Sequence, residues 1–156
     1  MKYMSLIQES VKATGELSIQ LIGFDGKVKQ NLLVPNLVVN TGKSYIAARM
    51  KETGRPNEMS HMAVGTNSTA AAVADTTLGA EIASSRVALA TAGGTVANNV
   101  VTYNATFPPG TGTGAITEAG IFNGASANTM LCRTVFAVVN KGADDTMSIT
   151  WTVTIS

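Results

Sequence analysis

Polar and apolar positions alternate most cleanly near the C-terminus. Met147, Ile149, Trp151, Val153 and Ile155 take every second position, with Ser148, Thr150, Thr152, Thr154 and Ser156 between them. A period of two predicts a strand with one face in the core and the other toward water or a partner. The same period runs through Leu17, Ile19 and Leu21. An Asp25-Gly26 turn then precedes the segment Val28 to Val34, which predicts a β-hairpin. Pro35 lacks the donor that a central ladder needs and ends that strand, and Asn36-Leu37-Val38-Val39 follows as a short apolar run. Val101, Tyr103, Ala105 and Phe107 alternate with Thr102, Asn104 and Thr106 as far as Pro108-Pro109-Gly110. Further strands are predicted over 59–64, 86–91, 116–122 and 130–139.

Three segments break this period. Ile46 and Met50 lie one helical turn apart, Ala47 and Ala48 favour helix, and Asn40 or Thr41 can cap, so a short helix is predicted over 41–50. Residues 67–85, NSTAAAVADTTLGAEIASS, are too poor in large apolar side chains to build a core alone. They predict a loop with at most a brief helix near Thr77 to Ile82. Residues 1–16 place Met4, Ile7 and Val11 at helical spacing, which fits an amphipathic helix, an arm laid on a neighbour or a frayed terminus. The chain therefore predicts a mainly β protein: an antiparallel β-sandwich or barrel-like domain over 17–156, with one short helix and an N-terminal arm over 1–16. Phe107, Phe122, Phe136, Ile149, Trp151 and Val153 are its candidate core residues. No internal repeat at a fixed period is present, which argues against a solenoid or propeller.

Composition narrows the function classes. The chain has 156 residues, which predicts one domain, and it carries 11 Lys and Arg against 10 Asp and Glu for a net charge of +1. A charge that small gives no long-range attraction for nucleic acid or an anionic membrane. Charged residues make up 13% of the chain, about half the usual share of roughly 25%. Such a surface needs cover from Ser, Thr and Asn or from other subunits. One cysteine, Cys132, and one histidine, His61, exclude an internal disulfide and a Cys/His zinc site. No apolar stretch approaches a membrane span and the first residues hold no secretory h-region, so the chain is expected to be soluble and untargeted.

Candidate chemistry is sparse. Gly42-Lys43-Ser44 resembles the end of a phosphate loop, but the required upstream glycine position is Leu37. A helix start with a solvated lysine is expected instead. Gly110, Gly112 and Gly114 follow Pro-Pro and precede a strand, which is the wrong context for a dinucleotide fingerprint. His61 has Ser60 beside it and Asp75 within sequence reach, the residue types of a hydrolytic triad, without a nucleophile elbow. Asp144-Asp145 pair only in a turn, where solvation is expected over glycosidase or calcium chemistry. Cys132 lies in an apolar strand and reads as a buried small hydrophobe. No catalytic residue, metal site or cofactor is expected, and an enzyme is not.

The segments PNLVVNTGKSYIAARM, MSHMAVGTNSTAAAVADTTLGAEI, AITEAGIFN and MLCRTVFAVVNKGADDTMSITWTVTIS resemble small β-rich virion structural proteins of tailed bacteriophages, over 36–156. The resemblance implies a virion protein assembled in the bacterial host cytoplasm. It implies a capsid decoration or cement protein that binds the major capsid protein, or alternatively a tail baseplate or fibre-attachment component that contacts other tail proteins or the host surface. A homo-oligomer is expected with it, a trimer being favoured. Met4, Leu6, Ile7 and Val11 of the arm are the candidate contact residues. Glu118, the one charge in its strand, is expected either to pair with Arg133 or to face solvent.

Overall fold

The structure is a computed structural model that describes residues 9–126 and 128–156. Two five-stranded antiparallel sheets pack face to face, as the alternating strands require, and they do not close into a barrel.

The first sheet begins with β1 (Ala13–Ile22) and β2 (Val28–Pro35), joined through the Asp25-Gly26 turn, where Gly26 has φ 74° and the Lys27 N–H donates to Asp25 Oδ1. The sheet is completed by β6 (Thr95–Ala97), β7 (Val100–Phe107) and β10 (Thr146–Ile155), in the order β2-β1-β10-β7-β6. The last strand of the chain is thus central, with β1 on one side and β7 on the other. Ala13 to Glu16 pair with Ile155 to Thr152, and Lys12 and Ser156 exchange backbone hydrogen bonds. The arm expected over 1–16 is therefore shorter, because its last four residues, Ala13 to Glu16, belong to β1. A strand start at Leu17 would leave four of the ten β10 residues in this ladder unpaired.

The second sheet has the order β3-β9-β8-β4-β5, built from β3 (Leu37–Val38), β4 (His61–Gly65), β5 (Val87–Ala88), β8 (Gly114–Phe122) and β9 (Met130–Lys141). β6 was not expected from the sequence. Its three residues are all exposed, so no period marks them. The 67–85 segment forms a loop, with no helix at Thr77 to Ile82; Gly65 and Glu81 make an isolated bridge at its base.

The helix α1 (Asn40–Arg49) starts after Val39 without a side-chain cap. Asn40 lies inside it, and Thr41 donates its hydroxyl to the Met130 carbonyl at 2.9 Å instead of capping. Gly42 and Tyr45 are its buried residues. A methyl group at Gly42 would collide with the Leu131 carbonyl, so glycine lets the helix backbone lie directly on β9. Lys43 is exposed, and Gly42-Lys43-Ser44 serves as that packed helix start.

The main core lies between the sheets. Leu17, Ile19, Leu21, Phe107, Met147, Ile149, Trp151 and Val153 from the first sheet meet Met62, Val64, Ile116, Ala119, Ile121 and Cys132 from the second. The candidate core residues are all buried, and Phe122 is the one placed elsewhere. It joins Val39, Ala63, Leu78 and Met130 in a separate cluster. Ala63 and Phe122 alternate along their strands with main-core residues, so this cluster lies on the opposite face of the second sheet.

Candidate interaction face and the buried ionic latch

The two sheets differ on their outer faces. On the first sheet, strand register places side chains in rows: Leu33, Ser18, Thr150 and Asn104; Asn31, Gln20, Ser148 and Thr106; Pro35, Glu16, Thr152, Thr102 and Thr95. Glu16 is the only charged residue in these rows. Thr150 donates its hydroxyl to Asn104 Oδ1 at 2.9 Å, and Thr152 donates to the Glu16 carbonyl at 3.4 Å. Thr150, Thr152 and Thr154 would have marked a sheet edge had β10 been an edge strand. They instead occupy the middle of this hydroxyl-rich face, because β10 is paired on both sides.

On the second sheet the loop 66–85 covers the outer face, and Leu78 supplies the apolar contact to Ala63, Phe122 and Met130. A buried ionic cluster holds it. Arg133 on β9 contacts Glu118 Oε2 on β8 at 2.8 Å and Asp75 Oδ2 of the loop at 2.7 Å. Glu118 Oε2 also accepts from the Gly79 N–H at 2.9 Å, and Oε1 accepts from Ala80 and Asn67 N–H groups at 2.7 and 3.3 Å. Arg133 further donates to the Thr69 carbonyl at 3.2 Å. Glu118 is therefore an internal anion around which the loop backbone folds. Gly65 leaves room for it, since a methyl there would strike both Glu118 Oε1 and the Ala80 carbonyl. Of the two orientations open to Glu118 in the sequence, the structure takes the pair with Arg133.

Burial opposes the charge on Arg133, but hydrogen bonds to Asp75 and Glu118 outweigh it and raise its pKa above the ordinary guanidinium value. The Ala72 N–H, and after burial's opposing effect Arg133, hold the Asp75 carboxyl below the usual carboxylate range. A second pair of opposed charges closes the turn between β9 and β10. Asp145 is buried, accepts from Lys29 Nζ at 2.8 Å and from the Gly142 N–H at 2.8 Å, and lies below the usual carboxylate range, first through Lys29. Asp144 is exposed. The expectation of two solvated turn aspartates holds for Asp144 and is corrected for Asp145, which the β2 lysine draws inward.

No family model, curated protein or solved structure matches the chain. The remaining candidate residues are assessed on geometry. Ser60 Oγ and His61 Nδ1 are hydrogen-bonded at 2.8 Å, but the Asp75 carboxylate is committed to Arg133 and the Ala72 N–H, so the three do not make a triad. Burial pushes the Cys132 thiol far up, which leaves no thiolate at neutral pH. Gly110, Gly112 and Gly114 all have positive φ, the first two in the turn after β7 and Gly114 at the start of β8. Among the described residues no three His, Cys, Asp or Glu side chains converge on a metal-sized site, and no helix is long and apolar enough to cross a membrane. Met4, Leu6 and Ile7 lie outside the described residues, and Val11 is 81% exposed.

The sequence offered the Glu118–Arg133 pair as one of two alternatives, but it missed Asp75 and the loop that folds over the pair. Glu118 is the one charge in β8, Arg133 is the opposite charge within the apolar first half of β9, and Leu78 is the one leucine in a small-residue segment. A charge in a strand buried on both faces must be paired.

Proposed function

We propose that this protein is a bacteriophage virion structural protein, a capsid decoration or cement protein that binds and stabilises the major capsid shell. The observation that carries this reading is the outer face of the first sheet, a broad array of Ser, Thr, Asn and Gln with Glu16 as its one charge in the registered rows. Such a face loses little on being covered. Hydroxyls and amides exchange water for partner hydrogen bonds at modest net cost, whereas each buried lysine or glutamate would need a dedicated partner. Contacts spread over many modest side chains suit attachment at repeated sites on a shell. The resemblance of 36–156 to small phage virion proteins points the same way, and the low overall charge is accounted for by the composition of this face.

The latch supports the role by rigidity. With the loop pinned on Glu118 and Arg133, the outer face of the second sheet is covered around Phe122 and Arg133, and the outer face of the first sheet is left open. Antibody or gold labelling of the protein on intact particles of the encoding phage tests the reading. Label distributed over the capsid shell is expected. Label confined to the baseplate or fibres would overturn the capsid assignment in favour of a tail component, and unlabelled particles would overturn both.

A further inference from the structure

Phe24, Met50 and Val11 are 90%, 85% and 81% exposed, the three most exposed large apolar side chains among the described residues. Two of them share a site. Val11 and Met50 line one groove of about 550 Å³ together with Ile46 and Ile155, edged by Lys12 and Lys43. Phe24 stands alone on the β1–β2 turn, next to Asp25. The groove begins two residues before β1 and Phe24 sits two residues beyond its end, so the ten-residue strand separates knob from hole by about 30 Å.

We infer that copies of this chain associate head to tail, with the β1–β2 turn of one copy seating Phe24 in the groove of the next. The occupant is set by shape and charge. An aromatic ring is the largest rigid apolar group that a short turn can present, and the groove supplies an aliphatic lining for it. Asp25 would enter beside Phe24 and meet the ammonium groups of Lys12 and Lys43. Its contact with Lys27, at 3.7 Å between exposed side chains, is weak enough to exchange. The groove wall is fixed in advance: Lys12 and Ser156 exchange backbone hydrogen bonds, and the Ile155 N–H donates to the Asn99 carbonyl. Because the two patches differ, the contact is heterologous, and repetition closes a ring or extends a filament. It lies at the two ends of the first sheet and leaves the hydroxyl-rich face open, so it goes beyond the proposed shell attachment and is tested without the particle.

Sedimentation of the full chain, up to roughly 1 mM, is the experiment. The wild type should associate, and Phe24→Asp and Met50→Glu should each weaken self-association at least about thirty-fold. Mixed in equal amounts, the two variants should form a one-to-one complex, because one retains the groove and the other retains Phe24. Asp25→Lys and Lys43→Glu should each weaken association about three-fold at low salt, and their combination should restore it. A wild type that stays monomeric, or variants that associate as it does, would overturn the proposal. So would a mixture that stays monomeric beside an associating wild type. Association insensitive to Phe24→Asp but lost in Ile7→Glu would assign the groove to the N-terminal residues, with the same consequence.

Discussion

The outer faces of the two sheets solve the same problem in opposite ways. On the first sheet the strands alternate, one face enters the core, and the other presents hydroxyls and amides in register. On the second sheet the loop 66–85 is fastened over the outer face around Phe122 and Arg133 through Glu118, Arg133 and Asp75, while Ala137, Val138 and Asn140 farther along β9 stay exposed. The difference teaches where this chain spends its few charges. A buried ion pair adds little net stability against an apolar replacement, but it fixes geometry, because the loop must bring the Asn67, Gly79 and Ala80 N–H groups onto Glu118. The open face needs no such fixing and carries almost none.

The comparison is broken most severely at Arg133. Arg133→Ala leaves Glu118 buried beside three backbone N–H groups without its cation, and stability should fall by about 3–5 kcal/mol, read as a lower urea midpoint. Exchange of the amides of 67–80 should accelerate before that of β1 and β10. A uniform acceleration would show that the loop is not a separate unit. Gly42→Ala forces a methyl group onto the Leu131 carbonyl and should cost about 1–3 kcal/mol by moving α1 off β9. A melting temperature unchanged from the wild type would contradict that contact.

Acid tests the latch more gently. The folded Asp75 pKa is depressed, so its contribution is complete above the unfolded value of about 3.9 and fades as pH falls through the folded value. Asp75→Asn should cost about 1 kcal/mol at neutral pH. It should also show a smaller loss of urea midpoint between about pH 5 and about pH 2 than the wild type does. Equal losses in the two proteins would remove Asp75 from the latch. The smallest expected effect on stability is on the open face, where Thr150→Lys or Thr152→Lys should change it by about 0.5 kcal/mol.

The same contrast explains what was legible in the sequence. Burial on one face imprints a period of two, so β1, β7 and β10 are readable directly from Leu17, Tyr103 and Trp151 and their alternate neighbours. Burial on both faces erases the period. In β8 and β9 the runs AITEAGIF and MLCRTVFAVV locate strands but conceal that Phe122 and Ile121 point into different clusters. What covers the second cluster is a long-range matter, since Leu78 and Asp75 reach it from a segment whose own composition reads as loop. The central place of β10, and with it the setting of Thr150 and Thr152, depends on pairing with a strand at the other end of the chain. No local pattern encodes that.

The central claim is that the hydroxyl-rich face of the first sheet attaches this protein to a capsid shell. Shells of the encoding phage that lack the protein can be incubated with wild type and with the Thr150→Lys, Thr152→Lys double variant, and occupancy read by quantitative gel or cryo-electron microscopy. The account predicts a folded variant that leaves the shells bare, because the contact would bury two ammonium groups and Glu16, in register with Thr152, can pair with only one. Wild-type occupancy by the folded variant would contradict it.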